Sequence, residues 1–239
     1  MDLKVLRVAS RADLVSCAAA VADNGAGLLS DAELMLTNCR NARAYALAAL
    51  AIEEHGKAMG IFSLAFMPVR LRGRMKLDDL RDLLKDHAVK QMGGLILTTL
   101  QFGLAPGVTQ RIRELPVDQL SRMLTATSTQ AHDTGRMKER GLYAEMEADS
   151  HIWHPAQITE TEATEQVDRA RGVAASAAVF NDANVVAQFA NPPSELLAIA
   201  EALFDQYDSG PPATSADAAA QAAKAGVDLA LGRLAQGGA

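Results

Sequence analysis

The chain has few cysteines and no long apolar run. Cys17 and Cys39 are its only cysteines, and they form neither a CxxC pair nor a short disulfide framework, which favours a reducing compartment. No stretch reaches the roughly 20 uninterrupted apolar residues of a membrane-spanning helix. The charged N-terminus also lacks the apolar core of a signal peptide. The sequence therefore predicts a cytoplasmic protein that makes no membrane contact.

The signatures of several enzyme classes are missing. The sequence has no P-loop, no dinucleotide-binding glycine motif and no GxSxG elbow. No Glu precedes a His by three residues, as the ligands of di-iron helical bundles do. A metal hydrolase would have to use the dipeptide His132-Asp133 or the pair His151 and His154, and that pair has no evident third ligand. We expect neither a metal nor a cofactor.

Aromatic residues are scarce, at 4% of the chain, whereas 49% of the residues are hydrophobic and Ala is the most common type. Short apolar side chains let helices pack closely, so this composition predicts a helical bundle. The net charge of -6 argues against nonspecific binding to nucleic acid, which depends on a cationic surface. A local basic patch remains compatible with that charge.

Apolar residues recur at helical spacing and predict an all-α protein with a single bundle of five to six helices. The first two helices should form an antiparallel hairpin, and residues 141–155 should form an ordered loop or a short extended hairpin. Residues 1–207 are predicted to be one helical domain, and residues 208–239 a flexible tail rich in Gly, Pro and Ala. The predicted helices run from the Ser10 cap to about Asn38, Asn41 to Phe66, Leu77 to Phe102, Val117 to Lys138, Thr159 to Phe189 and Ser194 to Tyr207.

Two acidic residues of the second predicted helix lie on faces that do not look solvated. Glu54 shares a face with leucines, and Glu53 shares one with alanines and glycines, so both carboxylates need partners. Lys57 follows Glu53 by four residues and Glu54 by three, which is the favourable order for an internal ion pair. Two interpretations stay open: a network that orients the helices, and part of a functional site.

The third predicted helix and the loop before it carry a second set of candidates. His87 lies on the apolar stripe, near Lys90, where a histidine either packs in the core or acts in a site. The preceding loop, VRLRGRMK, has four cations and no acid, so phosphate and solvent are its natural partners. The candidate RNA-binding residues of this loop are Arg70, Arg72, Arg74 and Lys76.

Four segments in order resemble the AbiV family of abortive-infection proteins. They are LLSDAELML, RAYALAALAIEEHGKAM, KDHAVK and KERGLYAEMEADSHIWHP, and the resemblance covers about residues 12–185. AbiV proteins are similar to the wider HEPN group of helical proteins, many of which are dimeric ribonucleases of defence systems. The resemblance implies a HEPN-like helical fold, a homodimer and a role in phage defence.

The hallmark of the HEPN group is an Arg four to six residues before a His, and Arg81 and His87 fit that spacing. The resemblance implies a metal-independent ribonuclease in which His87 assists proton transfer and Arg81 stabilises the phosphate. The two residues are about 120° apart on an ideal helix, so they converge only at a distorted turn or in a groove between two chains. Asp82, directly after Arg81, would repel phosphate.

The function implied is a defence protein that impairs RNA or translation after infection is sensed through a phage-encoded activator. The alternative is a non-enzymatic interaction protein that binds a phage or host partner. In that case Glu53, Glu54, Lys57 and His87 only set the geometry of the helices.

Overall fold

The computed structural model describes residues 3–66, 72–73, 117–146, 152–181, 183 and 187, and most of these are helical. This confirms the predicted all-α bundle. The α-helices of the described ranges are α1 (Leu3–Val8), α2 (Arg11–Thr37), α3 (Asn41–Phe66), α4 (Val117–Leu142) and α5 (Glu160–Ala177). Two 3-10 helices, Pro155–Gln157 and Ala178–Asn181, flank α5, and two short strands, β1 (Glu145–Met146) and β2 (Ile152–Trp153), precede it.

Local capping determines both ends of α2. The Ser10 hydroxyl accepts a hydrogen bond from the Asp13 N–H at 3.1 Å, and the Asp13 carboxylate accepts one from the Ser10 N–H at 3.3 Å. At the other end, the N–H groups of Cys39 and Arg40 donate to the carbonyls of Leu36 and Met35, both at 2.9 Å. This is a Schellman motif with Cys39 in the left-handed conformation, at a φ of 56°.

The tight turn after α2 sends α3 back alongside it. Arg11 Nε donates to the Ala65 carbonyl at 2.9 Å near one end of the pair, and the turn lies at the other end, so the two helices are antiparallel as predicted. Alanines let α2 and α3 approach closely, and α3 is central because α4 and α5 also pack on it. The core between α2, α3 and α5 includes the buried residues Ala48, Ile52, Val167, Ala170 and Val173.

The predicted extended segment within residues 141–155 is confirmed. Glu145 pairs with Trp153 and Met146 with Ile152 in antiparallel register. The Arg140 guanidinium lies 4.5 Å from the centre of the Trp153 ring, and the Trp153 indole N–H donates to the Arg140 carbonyl at 3.2 Å. These contacts fix the hairpin against the end of α4.

Two helix ends differ from the prediction. α4 continues to Leu142 rather than ending at Lys138, and Gly141 allows it to meet α3, because a Cβ there would lie 2.7 Å from the Ala42 carbonyl oxygen. The α-helix that was expected to reach Phe189 gives way to a 3-10 helix after Ala177. That tighter turn places Phe180 in the core, where its ring centroid is 4.9 Å from that of Phe62.

Helix α1 was not predicted, and three predicted features lie outside the described residues: the helices Leu77–Phe102 and Ser194–Tyr207, and the tail 208–239. None of the helices in the described ranges is long and apolar enough to cross a membrane.

Candidate functional site

A buried ion pair joins α3 to α4. Lys138 Nζ lies 2.8 Å from Glu53 Oε1, and the two side chains are 5% and 2% exposed. The sequence predicted Lys57 as the partner of Glu53, by helical spacing, but the structure gives that place to Lys138, 85 residues away. Removing either member of a buried pair leaves an uncompensated charge, at a cost of about 3–5 kcal/mol. The pair therefore fixes how α4 sits on α3.

Glu54 makes the ion pair that the sequence predicted for it. Lys57 Nζ lies 3.2 Å from its carboxylate, and Asn24 Nδ2 of α2 donates to it at 3.2 Å. The side chains of Lys57 and Glu54 are 23% and 19% exposed, so this pair lies at the edge of the core rather than inside it. The contact with Asn24 links α2 to the same cluster.

His55 directly follows Glu54 in the chain and is buried against α2. Its ring occupies the space beside Gly25, where an added Cβ would lie 2.8 Å from His55 Cε1. Neither ring nitrogen has a hydrogen-bond partner among the described residues. Burial lowers the pKa of His55 to about 4, against a smaller opposing effect of Glu54, so the ring is neutral at pH 7.

Sequence reasoning missed the Gly25–His55 contact. Asn24, Gly25 and Gly27 have low helix propensity, so by sequence alone they weaken the middle of α2. In the hairpin, Asn24 and Gly25 instead face Glu54 and His55. The signal that could have revealed this contact is the register of the hairpin, which places Gly25, a residue without a side chain, opposite the His55 ring.

A further polar cluster connects α3, α4 and α5. Burial raises the pKa of the Tyr45 hydroxyl, while Arg169 and a hydrogen bond with Thr134 act in the opposite direction. Gln166 of α5 is buried, and its side-chain oxygen accepts a hydrogen bond from Arg169 Nη1. Together with Glu53 and Lys138, these residues add buried polar groups to the otherwise apolar packing of the three helices.

Most of the predicted catalytic and RNA-binding residues lie outside the described ranges. They are the catalytic candidates Arg81 and His87 and the RNA-binding candidates Arg70, Arg74 and Lys76. Lys90, which was predicted to belong to the supporting network with Glu53, Glu54 and Lys57, also lies outside them.

Arg72 is described, and its position differs from the expected phosphate contact. It is buried, and its Nη1 donates to the carbonyls of Ala9 at 2.9 Å and Leu6 at 3.3 Å. Burial also lowers the pKa of this guanidinium, and Arg11 adds to the effect. These hydrogen bonds join the C-terminal end of α1 to Arg72, which follows the end of α3 by six residues.

The side chains of two of the four candidate metal ligands, Asp133 and His154, are described. Asp133 and His154 are both exposed, and His154 Nδ1 accepts a hydrogen bond from the Ala156 N–H at 3.1 Å. His151 lies outside the described residues, as does the side chain of His132. Within the described ranges, no three His, Cys, Asp or Glu side chains are close enough to hold a metal ion.

One comparison with known proteins relates the chain to a family. The model of a HEPN-type family, described as AbiV, matches residues 13–175, which is more than half of the chain. The matched range contains all of α3 and α4, and therefore the Glu53–Lys138 pair. It also spans the segment between these helices that holds Arg81 and His87. No curated protein and no solved structure gave a match.

Proposed function

Because the chain belongs to the AbiV family of HEPN-type abortive-infection proteins, we propose that it stops phage infection by impairing RNA or translation. The observation that carries this proposal is the family match over residues 13–175. The proposed activity is metal-independent endoribonuclease cleavage. His87 moves the proton and Arg81 stabilises the charge that develops on the phosphate.

The described contacts support Arg81 and His87 by elimination. Residues 53–57 of α3 hold the other candidate groups. Glu53 pairs with Lys138, and Glu54 pairs with Lys57. The His55 ring is buried. These groups have structural partners or no access to solvent, so they suit a scaffold better than catalysis. The segment KDHAVK is then the best remaining source of a proton-transfer residue.

Several further features belong to the same proposal. A homodimer would bring Arg81 and His87 of two chains to one groove, since about 120° separates them on a single ideal helix. Arg70, Arg74 and Lys76 would contact the RNA backbone, whereas Arg72 holds α1. We also propose that the protein acts in the cytoplasm, that a phage-encoded component activates it, and that residues 208–239 form a tail separate from the helical domain 1–207.

A second candidate function is a non-enzymatic interaction protein, and a specific observation favours it. Large apolar side chains are exposed where α4 ends and on β2: Leu142 is 43% exposed, Tyr143 67% and Ile152 66%. Exposed apolar groups that lie together are typical of protein-binding surfaces. In this alternative a phage or host protein binds there, and no RNA is cleaved.

A plaque assay separates the two functions. Cells that express the wild type should restrict phage, and Arg81→Ala and His87→Ala should each abolish restriction at unchanged protein level. Arg122→Ala is the matched control, because its exposed pair with Asp118 lies on the surface of α4. If Tyr143→Ala and Ile152→Ala abolish restriction while Arg81→Ala and His87→Ala retain it, the interaction protein is the correct function.

A further inference from the structure

The exposed apolar surface at the end of α4 adjoins a group of cations. A cavity of about 440 Å³ lies at the turn between α2 and α3, next to the 3-10 helix Pro155–Gln157. Its described lining contains Arg40, Arg43 and His154 but no acidic residue. Leu142 lines the same cavity and is 43% exposed. Basic and apolar side chains therefore meet at this point of the molecule.

Strand β2 extends the apolar part of this surface. Ile152 is 66% exposed, and the backbone after it remains extended through His154. Side chains two residues apart in an extended segment point to the same side. Ile152 therefore lies on the same side of the segment as His154, which lines the cavity. We call these five residues, Arg40, Arg43, Leu142, Ile152 and His154, the basic–apolar surface.

The polar groups of the basic–apolar surface are available to a partner. Arg40 and Arg43 are exposed, and the salt bridges between described residues engage other arginines and lysines. His154 Nδ1 accepts a hydrogen bond from the Ala156 N–H at 3.1 Å, so a neutral ring carries its proton on Nε2. Two guanidinium groups and an imidazole N–H are donors that suit carboxylates.

We propose that the basic–apolar surface binds a segment of a partner protein in which one or two acidic side chains lie beside bulky apolar ones. The carboxylates contact Arg40 and Arg43, and the apolar side chains cover Leu142 and Ile152. Exposed aliphatic groups favour a protein segment over RNA. A chain with a net charge of -6 also repels a polyanion more strongly than a segment with two carboxylates.

This assignment rests on the proposed function, because both of its forms include a protein partner, either an activator or a bound phage or host protein. The surface adds the chemistry of that partner. It is defined by exposed groups at the turn between α2 and α3 and at the end of α4, and it does not include Arg81 or His87.

Selection from a yeast-displayed library of random dodecapeptides tests this surface in the full chain. The wild type and the double variant Arg40→Gln/Arg43→Gln serve as separate baits. We expect the wild type to enrich peptides that combine Asp or Glu with bulky apolar residues, and the double variant to enrich none of them. The most enriched peptide is then labelled with a fluorophore and titrated with each protein by fluorescence anisotropy.

Single substitutions assign the contacts of that peptide. Arg40→Gln and Arg43→Gln should each weaken binding about tenfold or more, because each removes a charge-assisted contact. Ile152→Ala should weaken it about fivefold through lost apolar contact. Arg122→Gln removes the same charge roughly 30 Å away from Leu142 along α4 and should leave binding unchanged. Equal melting temperatures of the four variants exclude a folding effect.

Three results overturn the proposal: no peptide that the wild type enriches over the double variant, enriched peptides without acidic residues, or equal losses in Arg40→Gln and Arg122→Gln. A labelled RNA decamer that binds more tightly than the peptide and displaces it would overturn it as well, in favour of RNA. These measurements involve neither infection nor RNA cleavage. Peptide binding can therefore fail while Arg81→Ala and His87→Ala still abolish restriction, and that outcome leaves the proposed function intact.

Alkylation of Cys39 locates the bound peptide independently. Cys39 is exposed and lines the cavity, whereas Cys17 lies elsewhere on α2 and is partly buried. The selected peptide should slow the reaction of iodoacetamide with Cys39 but leave the rate at Cys17 unchanged. Equal rates at Cys39 with and without saturating peptide would place the peptide elsewhere and contradict binding at the basic–apolar surface.

Discussion

Gly25 and His55 face each other across the α2–α3 hairpin, and the imidazole ring occupies the space that a side chain at position 25 would fill. Gly25→Ala should therefore lower the free energy of unfolding by about 1–3 kcal/mol, because the buried ring has little room to move. Gly27 lies on the same helix and has nothing within 4 Å of an added Cβ. Gly27→Ala should raise stability by about 0.5–1 kcal/mol through helix propensity.

Urea denaturation of the two variants measures this difference directly. Equal stabilities for Gly25→Ala and Gly27→Ala would show that the His55 ring moves aside without cost.

His55 also makes stability depend on pH. Burial lowers the pKa of His55 to about 4, from an ordinary value of 6.5, so the unfolded chain binds the proton more tightly than the folded chain. The stability associated with the neutral ring is present above pH 6.5 and is lost as the pH falls towards 4. This loss amounts to about 3 kcal/mol over the window.

Replacing His55 should remove most of that slope. We expect His55→Phe to show a flatter dependence of unfolding free energy on pH between 4 and 6.5 than the wild type. Gly27→Ala, which changes stability but leaves every histidine in place, is the control and should keep the wild-type slope. A slope that survives in His55→Phe would assign the titration to another group.

The Glu53–Lys138 pair predicts a difference between single and double substitutions. Glu53→Gln and Lys138→Met should each cost about 3–5 kcal/mol, since each leaves one buried group without its charged partner. The double variant should be less destabilised than the sum of the two, because it leaves no buried charge from the pair.

The exposed pair Arg122–Asp118, with side chains 74% and 70% exposed, is the control on the same helix. Asp118→Asn should change stability by less than about 1 kcal/mol. If Lys138→Met costs no more than Asp118→Asn, the buried pair does not hold α4 on α3.

Cys39 gives a prediction of increased stability. Its φ of 56° is costly for a residue with a side chain and natural for glycine at the end of a helix. Cys39→Gly should raise the free energy of unfolding by about 0.5–1 kcal/mol, whereas Cys39→Ala, which keeps the Cβ, should not. Thermal unfolding of the two variants under reducing conditions compares them, and equal melting temperatures would show that the turn carries no strain.

The parts of the fold that could be predicted depend on local signals. Ser10 with Asp13 and Thr159 with Glu162 form capping boxes in which both partners lie within four residues, so they fixed the starts of α2 and α5. The periodic spacing of apolar residues predicted the length of α3.

The parts that could not be predicted depend on contacts between distant residues. Helical spacing predicted Lys57 as the ion-pair partner of Glu53. Lys138 reaches that carboxylate only because α4 packs on α3. The sequence predicted Arg72 as an RNA-binding cation of a loop. In the structure, carbonyls more than 60 residues earlier accept its hydrogen bonds. The end of α5 depends on Phe180 reaching Phe62 across the bundle.

RNA cleavage in the presence of a chelator tests the proposed mechanism of defence. Protein purified from uninfected and from phage-infected cells is incubated with total RNA in excess EDTA, beside Arg81→Ala, His87→Ala and the double variant at matched concentration. We expect the wild type to cleave RNA, each single variant to lose the activity while keeping the wild-type melting temperature, and the double variant to be little worse than either. No cleavage by the wild type from either source, or cleavage that persists in His87→Ala, would contradict a metal-independent ribonuclease built on Arg81 and His87.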